Sequence, residues 1–185
     1  MRPRPEFRCL AAALAVSAIL AVAHARAGDP IRPMTGAGSP SEVLSRLQTA
    51  VENRAPQDYA DCLADTFRFT PYSGVVAAYP DIRWKQWHNA QEFEFVRWLC
   101  SPARKAELHL LDEVLDRGIQ SGGVSDWEIV YTLLVDGTAF KGRATLHFVK
   151  IRQLWYLESW IDTRQEPWQG MLVATSGAAR ASFAR

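Results

Sequence analysis

Two side chains in this sequence have the chemistry of proton carriers. His147 lies in "ATLHFVK", and Asp162 ends the stretch "WYLESWID". An imidazole or a carboxylate transfers protons when it sits within hydrogen-bond reach of the reacting group. The chain also holds seven Trp, five Tyr and eight Phe. Tyr72, Trp84, Trp87 and His88 share one aromatic stretch, and Trp127, Tyr131 and Trp155 fall in later ones. Such rings build either a core or the wall of a pocket for a small apolar or aromatic molecule, with Tyr131 as the polar tip that orients it. Other chemistries lack their motifs. There is no Cys-x-x-Cys, His-Glu-x-x-His, Gly-rich phosphate loop or Gly-x-Ser-x-Gly, so no metal or cofactor is expected.

Strand phase decides which of these side chains share a space. "DWEIVYTLLVDG" alternates, placing Trp127, Ile129, Tyr131, Leu133 and Val135 on one face. "FKGRATLHFVK" puts Phe140, Ala144, Leu146 and Phe148 on one face, and Lys141, Arg143, Thr145 and His147 on the other. In an unbroken strand Trp155, Leu157, Ser159 and Ile161 go together, opposite Tyr156, Glu158, Trp160 and Asp162. The apolar faces should line the concave side of one sheet. That makes Trp155 core or pocket wall. It leaves His147 and Asp162 outside, where they are weak candidates for catalysis. Trp160 would sit on the convex face, a surface on which two copies could dimerise. A bulge would swap the faces beyond it.

The elements that carry these residues can be read in order. "SPSEVLSRLQTAV" opens with a capping box, Ser39 to Glu42, and has Pro40 at the first helical position. Pro56 starts a second helix, and "DTFRFT" is a short strand at whose entrance Asp65 caps or hydrogen-bonds. The 72–88 stretch reads as an aromatic loop packed over a core or pocket. Asn89 and Glu92 form a second capping pattern, and the helix after it carries Trp98 as core. From residue 106 the pattern changes to strands, joined by a hairpin turn at "DG". Helices before strands mean an α+β fold: a curved antiparallel sheet wrapped on three N-terminal helices, spanning 39–170. Residues 171–185 read as a disordered tail. Cys62 and Cys100 lie in helical apolar patterns, so a disulfide and two buried free thiols both fit.

The N-terminus reads as an export signal. Arg2, Arg4 and Arg8 precede the apolar run 9–23, and "AHARA" offers small-residue cleavage sites. Residues 1–27 are thus expected to be a signal peptide, 28–38 a linker, and the mature protein periplasmic or secreted, without a stable membrane anchor. The whole chain carries 21 Lys and Arg against 20 Asp and Glu; from Gly28 onward the balance is 17 against 19. No basic stripe is present, so nucleic acid is not an expected partner.

The pattern resembles the nuclear-transport-factor-2-like superfamily, the α+β cone of ketosteroid isomerase, scytalone dehydratase and polyketide cyclases. The matching residues are the helix pair leading into "DTFRF", Asp65 to Phe69, and Trp155, Leu157, Trp160 and Asp162 in the late strand. The resemblance covers roughly 39–170. It implies a cone whose interior can bind a ligand. It also implies, for the enzymes, an ionisable side chain buried among apolar residues, often with a Tyr. On the phase above only Tyr131 faces inward. The expectation is therefore a binding domain that does not turn its ligand over, with isomerase, dehydratase or cyclase chemistry as the alternative, and a dimerising interaction module as a third reading.

Overall fold

The computed structural model describes residues 35–118 and 121–185. The expected signal peptide and residues 28–34 of the expected linker lie outside them. The chain opens with α1 (Pro40–Glu52) and α2 (Pro56–Ala60), then β1 (Leu63–Thr70), α3 (Ser73–Ala78), a 3-10 turn (Trp84–Gln86) and α4 (Asn89–Leu99). Four long strands follow: β2 (Ala106–Arg117), β3 (Val124–Val135), β4 (Thr138–Ile151) and β5 (Leu154–Gln165). A small hairpin, β6 (Pro167–Trp168) with β7 (Met171–Leu172), leads into α5 (Ser176–Phe183).

The α+β reading holds, with differences: four helices rather than three precede β2, because Ser73–Ala78 of the expected 72–88 loop is helical. The five strands lie in the order β1-β5-β4-β3-β2, and β1 runs parallel to β5. The sheet is therefore mixed rather than wholly antiparallel. Two-residue turns make β3–β4 and β4–β5 antiparallel, whereas β1 reaches β5 by a long connection that permits a parallel pairing. The end of the chain differs too. Residues 171–185 are not a disordered tail: 176–183 form a helix whose residues Ser176 to Ala181 are all buried. The expected linker also ends in structure, because Ala37 pairs with Trp155 through two backbone hydrogen bonds.

Local chemistry explains the main elements. The Ser39 hydroxyl accepts from Glu42 N–H, and the apolar stripe Val43, Leu44, Leu47, Ala50 and Val51 is buried. The turn between β3 and β4 has Asp136 and Gly137 both at positive φ, as a two-residue hairpin of matching twist requires. Asp136 is fixed by Arg104 and by Lys105 N–H. The 106–116 segment, whose leucines also fit helical spacing, is strand β2. Its register slips between His109 and Glu113. The displaced N–H groups of Leu110 and Leu111 both donate to Gln48 Oε1 of α1, at 2.7 and 3.0 Å. One side chain thereby ties the first helix to an irregular stretch of strand.

The cysteines are both free thiols. Cys62 Sγ donates to Asp58 O at 3.4 Å, whereas Cys100 Sγ faces Ala50 O at 3.9 Å. Cys62 thus faces a carbonyl of α2 and Cys100 a carbonyl of α1, and the two are not bonded to each other. Burial pushes the Cys62 thiol up to about 12, which makes it an inert packing residue.

The Gln48 contact generates a stability prediction. Gln48→Ala strips the acceptor from two part-buried N–H groups and should destabilise the fold by about 1–3 kcal/mol. Chemical denaturation of the variant beside the unaltered protein measures it, and an unchanged midpoint contradicts the role given to Gln48.

Candidate functional site

A bulge in β5 sets what lies inside. His147 pairs with Ser159 but Phe148 pairs with Leu157, so Glu158 is an extra residue in the strand. The alternation reverses there. Trp155 and Leu157 are buried before the bulge; after it Trp160 and Asp162 are buried, and Ile161 is exposed. The unbroken phase that put Trp160 and Asp162 on the convex face is therefore corrected. With Trp160 only 1% exposed, a dimer surface anchored on it loses its anchor.

Next to Trp160 on the same interior face stands Tyr131, with ring centroids 5.0 Å apart and edge-on. Its phenol passes over Gly142 of β4. A methyl group added there would meet Tyr131 Oη at 2.7 Å. Glycine at this strand position is what lets the hydroxyl reach the Ser176 N–H at the start of α5.

The second carboxylate comes from α4. The residue at the helix cap is His88, whose N–H donates to Gln91 Oε1, one position earlier than the sequence pattern suggested. Glu92 is thereby free of capping and lies in the helix's inward stripe with Phe95, Val96 and Leu99. It is fully buried. Trp87 Nε1 donates to its Oε2 at 2.8 Å, and Tyr59 Oη to its Oε1 at 3.3 Å.

The partner of Glu92 is Arg180 of α5. Its Nε donates to Oε2 at 2.9 Å and its Nη2 to Oε1 at 2.5 Å, a forked ion pair whose side chains are 2% and 0% exposed. Three rings surround the guanidinium carbon: Phe69 at 3.9 Å, Phe95 at 4.7 Å and Trp160 at 5.5 Å. Burial alone would lower the Arg180 pKa, but Glu92 more than reverses this and keeps the group charged.

A serine joins the two carboxylates. Ser176 Oγ accepts from Arg180 Nη1 at 2.8 Å and donates to Asp162 Oδ2 at 3.3 Å. Ser176 N–H donates to Tyr131 Oη at 2.8 Å, and Gly177 N–H to Asp162 Oδ2 at 3.2 Å. Trp160 Nε1 donates to Asp162 Oδ1 at 2.8 Å. Asp162 thus caps α5 from another element, as a carboxylate at a helix N-terminus should. Burial raises its pKa above the usual 3.8, against the pull of Arg180 and Trp160. Tyr131 is raised by burial first and by Asp162 second. Small residues bring α5 this close: a methyl group on Gly177 would sit 3.0 Å from Pro71 Cβ and 3.3 Å from Val75 Cγ1. The helix fills the interior almost completely. A void of about 10 Å³ remains among Tyr59, Phe95, Leu108, Leu133, Trp160 and Arg180, roughly one water at most.

No protein-family model and no curated protein matches the chain in sequence. Solved structures do match in shape. A scytalone dehydratase-like structure from Novosphingobium aromaticivorans superposes with a TM-score of 0.53 at 9% identity, over 73% of this chain and 89% of that one. An aromatic ring hydroxylase-like structure from the same organism gives 0.51 at 13%, over 75% and 92%. A function-unknown protein of Mycobacterium tuberculosis gives 0.50 at 13%, over 78% and 81%. This chain has the nuclear-transport-factor-2-like cone fold. At such identities the likeness carries the fold alone.

Within the cone the expected site residues separate. Trp84 and Trp87 are buried and stacked at 5.5 Å, with Phe69 6.3 Å from each. Of these two, Trp87 reaches the interior carboxylate; Trp84 Nε1 donates to Tyr79 O instead. Tyr131 is at the centre. Trp127 packs edge-on against Phe148 at 5.7 Å and donates to Ser125 Oγ. Trp155 pairs with Ala37. Neither Trp127 nor Trp155 lines the residual void. Tyr72 is half-buried at the start of α3, and His88 is half-buried at the α4 cap. His147 is on the outer face as expected, with Nδ1 bonded to Asp126 and Nε2 3.4 Å from Glu158. Asp65 is exposed. Sequence reasoning missed Glu92, Arg180, Tyr59 and Ser176. A usable signal was present for one of them: Glu92 sits at the 92, 95, 96, 99 spacing of an apolar helix stripe, and a carboxylate in such a stripe needs a buried partner. Among the described residues no cluster of three metal-ligating side chains occurs.

Two measurements follow from this network. Arg180→Met leaves Glu92 buried without its cation and should destabilise the fold by about 3–5 kcal/mol, with Glu92→Gln in the same chain restoring part of the loss. Equal destabilisation in the single and double variants contradicts the pairing. Asp162 fixes a pH slope. Its folded pKa is raised, so the folded state holds a proton that the unfolded state has released. Its favourable contribution is complete below about 3.8 and is lost as pH rises through the folded value. The stability of the unaltered protein relative to Asp162→Asn should therefore fall with rising pH across that window. A gap that widens with pH contradicts the raised value.

Proposed function

We propose that this chain is an exported, non-catalytic domain that binds a small molecule in the interior of its cone, the space now filled by α5. The observation that carries the reading is the character of that space. Aromatic walls from Phe69, Trp87, Phe95, Tyr131 and Trp160 enclose two carboxylates and several oriented donors, which is the composition of a recognition site rather than of a plain core. The neighbours of like shape include a structure named for scytalone dehydratase. Export is supported by the basic and apolar N-terminal order with its small-residue cleavage sites.

In this reading α5 must leave before a ligand enters. The closed state lowers the apparent affinity by the fraction of time the interior is open. Removing the closing ion pair with Arg180→Ala should therefore tighten binding of a neutral aromatic probe, 2-naphthol, by at least about tenfold. Tryptophan fluorescence titration measures this. Native mass spectrometry of protein purified from its own host should show a retained small molecule. A folded Arg180→Ala variant that takes up no 2-naphthol, together with an empty native spectrum, overturns the reading. N-terminal sequencing of exported protein should begin at or near Gly28; an intact Met1 contradicts export with cleavage.

One observation favours a second reading. Asp162 stands inside the cone beside Tyr131 with its pKa raised, the arrangement of a proton carrier with a hydrogen-bonding partner. As an isomerase, dehydratase or cyclase site, the pair requires that Asp162→Asn abolish turnover while ligand affinity stays within a few-fold.

A further inference from the structure

We propose that the cone interior takes a small molecule bearing a guanidinium group, and that α5 closes the site by holding Arg180 there as a tethered stand-in. This rests on the interior being a binding site, as argued above, and names the class of ligand.

Three features converge on that class. The first is geometric. Glu92 presents both oxygens to the edge of the guanidinium, and the flat ion lies among Phe69, Phe95 and Trp160 at 3.9 to 5.5 Å. A planar, delocalised cation satisfies a carboxylate fork and aromatic faces together, whereas an ammonium lacks the fork and a neutral ring lacks the charge. The second is charge. Among the described residues Arg180 is the one buried cation, while Glu92 and Asp162 are both buried. With α5 withdrawn the interior keeps two carboxylates and no cation of its own. The third is how α5 is held. Its inward surface is Gly177, Ala178, Ala179 and Ala181, with Phe183 half-buried against Phe95 and Trp98. So little apolar surface leaves the polar contacts of Ser176, Gly177 and Arg180 as the main hold. A ligand that supplies the same contacts competes directly for them.

The test uses butylguanidine and its neutral isostere butylurea. Hydrogen exchange is followed on the unaltered protein, with its C-terminal helix in place. Butylguanidine should accelerate exchange of amides 176–183 at least about tenfold, while amides of β3 and β4 keep their protection; butylurea should leave both unchanged. Arg180→Ala should bind butylguanidine at least about tenfold more tightly than butylurea, and adding Glu92→Gln should abolish that preference. A folded Arg180→Ala chain without the preference overturns the proposal, as does undiminished protection of 176–183 in the unaltered protein at butylguanidine concentrations that saturate the variant. Should Arg180→Ala fail to fold, exchange in the unaltered protein decides alone: acceleration specific to butylguanidine supports the proposal, and no acceleration below the concentration that unfolds β3 and β4 overturns it. Failure of the broader reading looks different. Binding of 2-naphthol without any preference for butylguanidine removes the ligand class and leaves the binding domain standing, whereas binding of neither probe removes both.

Discussion

Glu92 and Arg180 meet where water is excluded, and neither is tolerable there without the other. Taking one such charge out of water costs several kcal/mol, and their mutual attraction offsets this only when the geometry is good and the remaining donors and acceptors are filled. The fold meets both conditions. Tyr59 and Trp87 complete the carboxylate, Ser176 takes the free Nη1, and three rings face the guanidinium. The pair ties α4, early in the chain, to the C-terminal helix. It thereby fixes where α5 must stand, and Asp162 fixes which end of α5 points in. An apolar helix of the same size would fill the space, but it would not be held in one register.

The same constraint explains why the strand irregularity matters. Without the extra residue at Glu158, Trp160 and Asp162 would face solvent. The α5 N-terminus would then lose its carboxylate and Arg180 one of its rings. The bulge places Glu158 outside, where Thr66 Oγ1 donates to it at 2.8 Å and His147 lies close by. One inserted residue thus serves both surfaces: it gives the outer face an acidic partner for His147 and turns the inner face acidic.

The fold was legible in the sequence because it depends on repeated, redundant signals. Period-two runs such as "DWEIVYTLLV" and capped apolar helices such as "SPSEVLSRLQTAV" each carry several residues that agree. The site was legible only in part because it depends on single residues. The phase of "WYLESWID" was correct as far as Leu157 and reversed after it, since a bulge leaves no mark in composition. Trp87 and Tyr131 reach the interior network, while Trp127 and Trp155, equally aromatic, pack elsewhere. The tail was misread for a related reason. "SGAARASF" has almost no apolar mass, and pattern reading equates burial with large side chains. Here smallness is what permits burial, because Gly177 and the alanines let α5 approach Pro71 and Val75.

A helix that is buried by polar contacts differs in kind from one buried by apolar area. Apolar burial is non-directional and weakens gradually as surfaces part. A network of charge-assisted hydrogen bonds in a dry space is directional, and its members depend on one another, so losing one leaves the rest unsatisfied. In the proposed binding mode the interior of this cone would therefore have two states, latched or open, with little stability in between. The open state exposes Glu92 and Asp162 to water and so recovers their hydration. That recovery makes opening less costly than the number of broken contacts suggests. In that mode the control of access would lie in side chains on three separate elements, α4, β5 and α5, rather than in the flexibility of any loop.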